Sequence, residues 1–300
     1  MKHLAFIGYY LLSFLSFGQA DTSRILNDLK QLTGTQSFRH FMNPKTLDSV
    51  ATYIYDQLKT NADTVYYQEF TVNGVTYRNV VGVFGFKKPE TVVVGAHYDV
   101  CGMQEGADDN ASGVAGLLEL SRLLSGKELK NRIELVAYTL EEPPYFRTEH
   151  MGSYHHAQAL AQEGREVKGM ISLEMIGYYD DRKRSQDYPL GFLKLFYGSR
   201  GNYIALVNKT GKGSFARKFT KRFKKYAEIK AKSITAPKAI PGIDFSDHLN
   251  YWHFGFSALM ITDTAFYRNK NYHEETDTLE TLSIPNMAQV VDGIYSVLLR

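Results

Sequence analysis

The sequence predicts an α/β protein, a three-layer α/β/α sandwich around a mixed, mostly parallel central sheet. Three observations carry this. Apolar runs at Thr91 to Ala96, Ile133 to Leu140, Met170 to Met175 and Phe256 to Thr262 show little polar alternation, as strands covered on both faces do. Stretches with helical spacing separate these runs. Asn73-Gly74 sits between two β-branched and aromatic segments and marks a hairpin, so the sheet is mixed. The chain has 300 residues, 44% of them hydrophobic, enough for one large core. No internal repeat or low-complexity linker divides it, so residues 21–300 are expected to form one domain.

The chain opens with Lys2 and the apolar stretch LAFIGYYLLSFLSFG, followed by Gly18, Ala20 and Asp21. This reads as a cleavable signal peptide over residues 1–20, and implies a secreted or periplasmic protein. The stretch is short for a membrane span, so an uncleaved anchor is the lesser alternative. No later run is apolar enough to cross a bilayer, and no membrane insertion is expected after signal removal.

Asp21 to Gln36 is expected to be helical, with Ile25, Leu29 and Leu32 in phase. Asn43-Pro44 starts a second helix carrying Leu47, Val50, Ile54 and Leu58. Val65 to Phe70 and Val75 to Phe86 form the hairpin. Ala111 to Leu124 and Met151 to Gln162 read as helices. Phe192 to Phe196 and Tyr203 to Val207 look like further strands. Ser214 to Ala227 is a helix with Phe215, Phe219 and Phe223 on one face. Ile240 to Trp252 is loop-rich, and a last helix runs from Ile284 to about Leu299.

Formal net charge is +3, unevenly spread: Lys209 to Lys232 holds ten Lys/Arg and one acid. The aromatic stripe there is the ordinary core face of a helix with its cations solvated, so no nucleic-acid partner is expected. Cys101 is the only cysteine, which rules out an intrachain disulfide. An exported protein then relies on its core or on bound metal. No base is paired with Cys101 in the sequence, so it is not read as a nucleophile. His155 and His156 fall in a helix and are read as surface residues.

Polar residues interrupt the apolar strands at their ends. His97 and Asp99 follow the first buried run, and Asp108 and Asp109 open the helix after it. Glu141 and Glu142 end the second run, Glu174 lies at the third, and His273 and Asp277 come after the last. Carboxylates are rarely buried without partners. Several meeting at one sheet edge would repel one another, and cations resolve that. Two divalent zincs and a bridging hydroxide balance three ligand carboxylates, and imidazole with carboxylate suits zinc better than calcium or magnesium. A His-Glu-x-x-His motif is absent, which excludes a thermolysin-like site.

The motifs H-Y-D at 97–99, G-A-D-D-N-A-S-G at 106–113, E-E at 141–142, L-E-M-I-G at 173–177, S-D-H at 246–248 and Y-H-x-x-x-D-T at 272–278 occur in that order. Together they resemble the M28 family of zinc peptidases, the bacterial leucyl-aminopeptidase-like group. Glutaminyl cyclases and glutamate carboxypeptidases share its zinc-exopeptidase fold. The resemblance implies two zinc ions, a peptide substrate and hydrolysis at the N-terminus. It implies His97 on one metal, His273 on the other, Asp109 bridging, and Glu142 and Glu174 completing one position each. It implies Glu141 as general base and Asp99 as the residue holding the His97 ring. Asp247 and His248 would support the ligands or touch substrate, and Asp108 would cap the helix. Two departures stand out: Glu174 replaces the commoner Asp, and PPYFRTEHMGS replaces the commoner Gly-Leu-x-Gly-Ser run. Tyr178, Tyr179, Tyr251, Trp252, Phe266 and Tyr267 flank the motif loops and are expected to wall an apolar side-chain pocket.

The rivals are a single-zinc glutaminyl cyclase using the counterparts of Asp109, Glu142 and His273, and a carboxypeptidase with Arg147, Arg200 or Arg268 as carboxylate clamp. A non-catalytic binding module of this fold would have lost ligands or the base, and this chain keeps them all.

Overall fold

A computed structural model describes residues 19–211 and 213–300; the signal-peptide reading falls almost wholly outside them. The chain runs α1 (Thr22–Thr33), α2 (Pro44–Lys59), β1 (Thr64–Val72), β2 (Val75–Phe84), β3 (Thr91–His97), α3 (Gly113–Leu124), β4 (Arg132–Tyr138), α4 (Gly152–Gln162), β5 (Val167–Glu174), α5 (Lys194–Tyr197), β6 (Ile204–Lys209), α6 (Ser214–Tyr226), β7 (Ala231–Ala236), α7 (His248–His253), β8 (Ala258–Thr262) and α8 (Ile284–Leu298).

The strands form one eight-stranded sheet in the order β1-β2-β4-β3-β5-β8-β6-β7. The centre is parallel, with β3 between β4 and β5, and β5 beside β8. The β1/β2 hairpin and the β2/β4 and β6/β8 pairs are antiparallel, while β7 runs parallel to β6 at the edge. Every residue of β3 is buried, as its unbroken apolar sequence demands.

Helices cover both faces. Ile25 and Leu29 of α1, Leu47 and Ile54 of α2, Val114 and Leu117 of α3, Phe219 and Phe223 of α6 and Val290 and Ile294 of α8 share one core. Ala157 and Leu160 of α4 and Tyr251 of α7 pack with Val93, Val136 and Met170 on the opposite face. The result is the three-layer α/β/α sandwich with a mixed sheet. No helix among the described residues is long and apolar enough to cross a membrane.

The chain passes from β3 to β4 on one side and then to β5 on the other. That switch leaves a crevice beyond the carboxyl ends of the central strands, where ligands of open α/β sheets bind.

Three local expectations are corrected. Phe192 to Phe196 is not a strand: it lies in a 3-10 turn at Gly191–Leu193 and the short α5, with Phe192, Leu195 and Phe196 exposed. A short apolar run carries no period that separates strand from helix. Edge strand β7 lies at the end of the basic stretch, its half-buried residues giving no apolar signal. His156 is buried. Its Nδ1 lies 2.6 Å from the Tyr251 hydroxyl, which lies 2.8 Å from that of Tyr138, and its Nε2 is 3.3 Å from Glu134. A helix that looked merely polar thus packs a satisfied histidine against the sheet.

Candidate active site

The crevice gathers residues from five segments. His97 is the last residue of β3 and Glu174 the last of β5, and their backbones pair with Tyr138 of β4 and Thr262 of β8. Glu141 and Glu142 follow β4, and Asp99 holds that turn: its two carboxylate oxygens accept the N–H groups of Glu141 (3.2 Å) and Glu142 (3.1 Å). The expected grip of Asp99 on the His97 ring is only partial. His97 Nδ1 lies 3.2 Å from the Asp99 backbone carbonyl and 3.6 Å from its carboxylate.

Asp109 sits in the irregular turn Ala107–Ser112, with φ −105° and ψ 91°. Asp277 fixes this turn, accepting the N–H of Asp108 (2.9 Å) and of Asp109 (3.0 Å). Asn110 stitches it to the end of β5, donating to the Leu173 carbonyl (2.8 Å) and accepting from Met175 N–H (3.0 Å). Ser112 accepts from Ile176 N–H at 2.9 Å. The flanking glycines are required by space. At Gly106 (φ +58°) a Cβ would lie 2.3 Å from the Asp109 carbonyl oxygen, and at Gly113 2.4 Å from Asn110 Oδ1. Asp108 turns away from the crevice, accepting from Gly177 N–H (2.9 Å) and Asn269 (2.8 Å).

Two overlapping groups result. His97 Nε2 lies 3.4 Å from Asp109 Oδ1 and 3.5 Å from Glu174 Oε2. His273 Nε2 lies 3.2 Å from Asp109 Oδ2 and 3.3 Å from Glu142 Oε2. Asp109 thus faces both imidazoles, one oxygen to each. Glu141 Oε2 is 3.9 Å from His97 Nε2. Despite these distances His97 Nε2, His273 Nε2, Asp109 Oδ1 and Glu142 Oε1 have no hydrogen-bond partner among the described residues, although these atoms are buried. His97, Asp109 and Glu174 bring ligand atoms within 4.8 Å of one another, as do Cys101, Glu142 and His273, and such convergence of unpartnered donors suits a metal ion.

The electrostatics agree. Burial drives Glu141 well above the usual carboxylate range, with Glu174 and Glu142 adding to it against His97. Burial with Asp109 nearby pushes Glu142 up to about 7, and burial raises Glu174 as well. Burial acts on Asp109 in the same sense, but His273 and His97 hold it well below the usual range. Burial would lower both imidazoles, yet the surrounding carboxylates hold His97 and His273 far above their ordinary value. Four carboxylates outnumber two imidazoles. The Arg39 guanidinium acts on Asp99 and Asp109 as one counter-charge and bound protons supply more, and divalent cations would take the protons' place.

The S-D-H motif divides in three. Ser246 donates to Glu174 Oε2 at 2.7 Å and is itself 2.7 Å from Ser172 Oγ, which aims the longer Glu174 side chain. Asp247 is buried with neither oxygen hydrogen-bonded among the described residues, and burial raises it to about 7. His248 is not brought to the ligand cluster. Its Nε2 meets the Ile243 carbonyl at 2.8 Å and its ring packs edge-on to Trp252.

Arg39 and Cys101 are the site residues that sequence reasoning missed. Arg39 is buried and donates to the carbonyls of Leu32, Tyr98, Glu105 and Gly106. It clamps the loop between His97 and Asp109, and nothing in its sequence context marks it. Cys101 Sγ falls within 4.8 Å of ligand atoms of both Glu142 and His273. Its position four residues after His97 was the available signal.

An apolar cleft opens beside Glu174, lined by Tyr188, Tyr203, Val207, Phe245, Met260 and Tyr272. Of the aromatics expected there, Phe266 and Tyr267 line it, whereas Tyr178, Tyr179, Tyr251 and Trp252 do not. Tyr251 belongs to the core of the opposite face, and Trp252 donates to the Ala258 carbonyl.

Comparison with known proteins bears on this geometry. The family model for Peptidase family M28 matches residues 79–298. An Escherichia coli chain described as "Uncharacterized protein YfbL" is 42% identical over 287 residues, 93% of this chain and 88% of that one. A "Probable leucine aminopeptidase" of Arthroderma otae is 26% identical over 91% of this chain and 72% of its own length. A Bacteroides thetaiotaomicron glutaminyl cyclase structure superposes with TM-score 0.72 over 95% of this chain and 99% of that one, at 16% identity, a likeness of fold. With the match covering the whole sheet from β2 onward and the crevice at its centre, the chain belongs to peptidase family M28 and is a metallo-exopeptidase.

Proposed function

We propose that the protein is a dinuclear zinc aminopeptidase that removes apolar or aromatic residues from the N-termini of peptides. The observation that carries this is the pair of ligand groups sharing Asp109: His97, Asp109 and Glu174 in one, Asp109, Glu142 and His273 in the other, with Glu141 beside them. When bound, the metal pair supplies Lewis-acid activation of water and of the scissile carbonyl. Glu141 takes the proton from the attacking water on its carboxylate and later delivers it to the leaving amine. Burial suits it to that exchange, because a carboxyl raised toward neutrality can both accept and return a proton. The apolar cleft beside Glu174 receives the side chain of the first residue.

A single-zinc cyclase would need only the second group, and it leaves the convergence of His97 and Glu174 without a purpose. A carboxypeptidase would need a free cation at the cleft; Lys232 lines it, but its ammonium donates to the Tyr197 carbonyl and lies over the Tyr203 ring. Arg147 pairs with Asp244, Arg200 donates to the Asp181 carbonyl and Arg268 to Gln186 and the Tyr178 carbonyl, and none of the three lines the cleft.

Metal analysis combined with hydrolysis of free and N-blocked dipeptides tests the reading. Two zincs per chain and cleavage only of free N-termini are expected. One zinc with cyclisation of N-terminal Gln would overturn it. Glu141→Gln should lower turnover by roughly 10²–10⁴-fold while keeping the metal; an active variant removes Glu141 from its role.

A further inference from the structure

Cys101 lies on the loop that leaves β3, half-buried, and no intrachain disulfide can engage it because the chain has no second cysteine. Its sulfur lies within 4.8 Å of ligand atoms of Glu142 and His273, and His273 Nε2 in turn lies 3.2 Å from Asp109 Oδ2. Two independent features point to a shared ion rather than to a simple contact. Glu142 is 4% exposed, and its Oε1 has no hydrogen-bond partner among the described residues. His273 Nε2 is buried and likewise lacks one, although three candidate atoms surround it. A thiol, a carboxylate and an imidazole meeting within 4.8 Å is a donor set that zinc accepts, at a separation that one ion can close by small side-chain movements.

We propose that Cys101 is a fourth protein ligand of the second metal position, which becomes a Cys/His/Asp/Glu site. The inference rests on the two-metal reading above. On ligation the S–H bond breaks, its proton leaves to solvent, and a sulfur–metal bond forms. Sulfur changes what the position selects. The first position, built from imidazole and carboxylates, accepts harder ions. The second, with a thiolate, favours zinc, cobalt or cadmium over manganese or magnesium. A thiolate would add a protein donor at a metal position where catalytic sites ordinarily use three, and a substrate amine reaching that metal would compete with it.

The test is cobalt substitution of the metal-free full-length protein, read by absorption. Because Cys101 is the only cysteine, a thiolate-to-cobalt charge-transfer band in the near ultraviolet can come from nowhere else. The band should grow with binding at one of two cobalt positions and disappear in Cys101→Ser, whose zinc-over-manganese preference should fall roughly tenfold or more. Cys101 in the wild-type protein should also resist alkylation by iodoacetamide until a chelator is added. Two bound cobalt ions with visible ligand-field bands and no charge-transfer band overturn the inference and leave the two-metal reading standing. Failure to bind a second cobalt overturns both.

Discussion

His248 begins α7 fully buried, its ring between the Ile243 carbonyl and Trp252, and burial lowers its pKa to about 4 from an ordinary 6.5. The folded state therefore resists a proton that the unfolded chain accepts. This stability is fully present above pH 6.5 and is lost as pH falls from there toward 4. The loss amounts to at most ~3.5 kcal/mol, since one unit is worth about 1.4. Chemical denaturation across that window should show His248→Gln with a flatter profile than wild type; parallel profiles would refute the assignment. The histidine of the S-D-H motif thus supports the fold behind the crevice, while the serine of the same motif aims Glu174. Three adjacent residues in one motif do different work, and only their contacts separate them. The Glu174 departure is explained at this scale too: Ser246 and Ser172 form a relay that holds the longer carboxylate in place.

The turn from Ala107 to Ser112 is the element on which the site depends. It has no regular hydrogen-bond ladder of its own, so side chains satisfy its backbone: Asp277 from the far loop, with Asn110 and Ser112 tying it to β5. Arg39 holds the loop before it through the Glu105 and Gly106 carbonyls while also bonding the Tyr98 carbonyl beside β3. Burial lowers the guanidinium only to about 10, so it remains charged at neutral pH. Arg39→Met would leave these buried carbonyls without donors, at ~1–3 kcal/mol each where water cannot replace them. An overall loss of about 3 kcal/mol or more is expected on denaturation, with zinc affinity falling roughly 10–100-fold in a competition titration. A variant as stable and as tight-binding as wild type would deny Arg39 this role. The glycines and acids of this turn were legible in the sequence because sterics and charge restrict those positions. Arg39 was not, because its partners are backbone carbonyls 59 to 67 residues away for Tyr98, Glu105 and Gly106, and carbonyls leave no mark on sequence.

At the scale of the molecule, β3, β4, β5 and β8 aim their carboxyl ends at one crevice, and the apolar cleft lies on the β6 side of it. Ala205 and Val207 of β6 and Met260 of β8 line that cleft, closed by loops near Tyr188, Phe245 and Tyr272. Ala205→Leu would narrow it without touching a ligand. For peptides with a large aromatic first residue, kcat/KM is expected to fall by roughly 10–200-fold, with little change for N-terminal Ala. An equal loss for both would mean that the cleft does not receive this side chain. The rest of the cleft comes largely from loops, among them Pro241 to Phe245 in the stretch the sequence read as loop-rich, with Leu193 from the misassigned strand. Four of the six aromatics expected as its wall lie elsewhere, because nearness to a motif in the chain does not say which face a side chain joins.

Strand polarity is written along the chain, so the sequence by itself determined the α/β class, the buried central strands and the acidic and imidazole residues at their ends. Apolar periodicity and the cost of burying charge are local properties that survive without a structure. The tertiary structure decided which oxygens of Asp109 face which imidazole, that Asp99 chiefly grips the Glu141–Glu142 turn, and that His248 Nε2 meets the Ile243 carbonyl rather than the acidic cluster. It also decided which aromatics meet the cleft and that the lone thiol of Cys101 stands beside Glu142 and His273. Those facts depend on distances between segments far apart in the chain, which are set by how the helices and sheet pack and not by any residue's own preference.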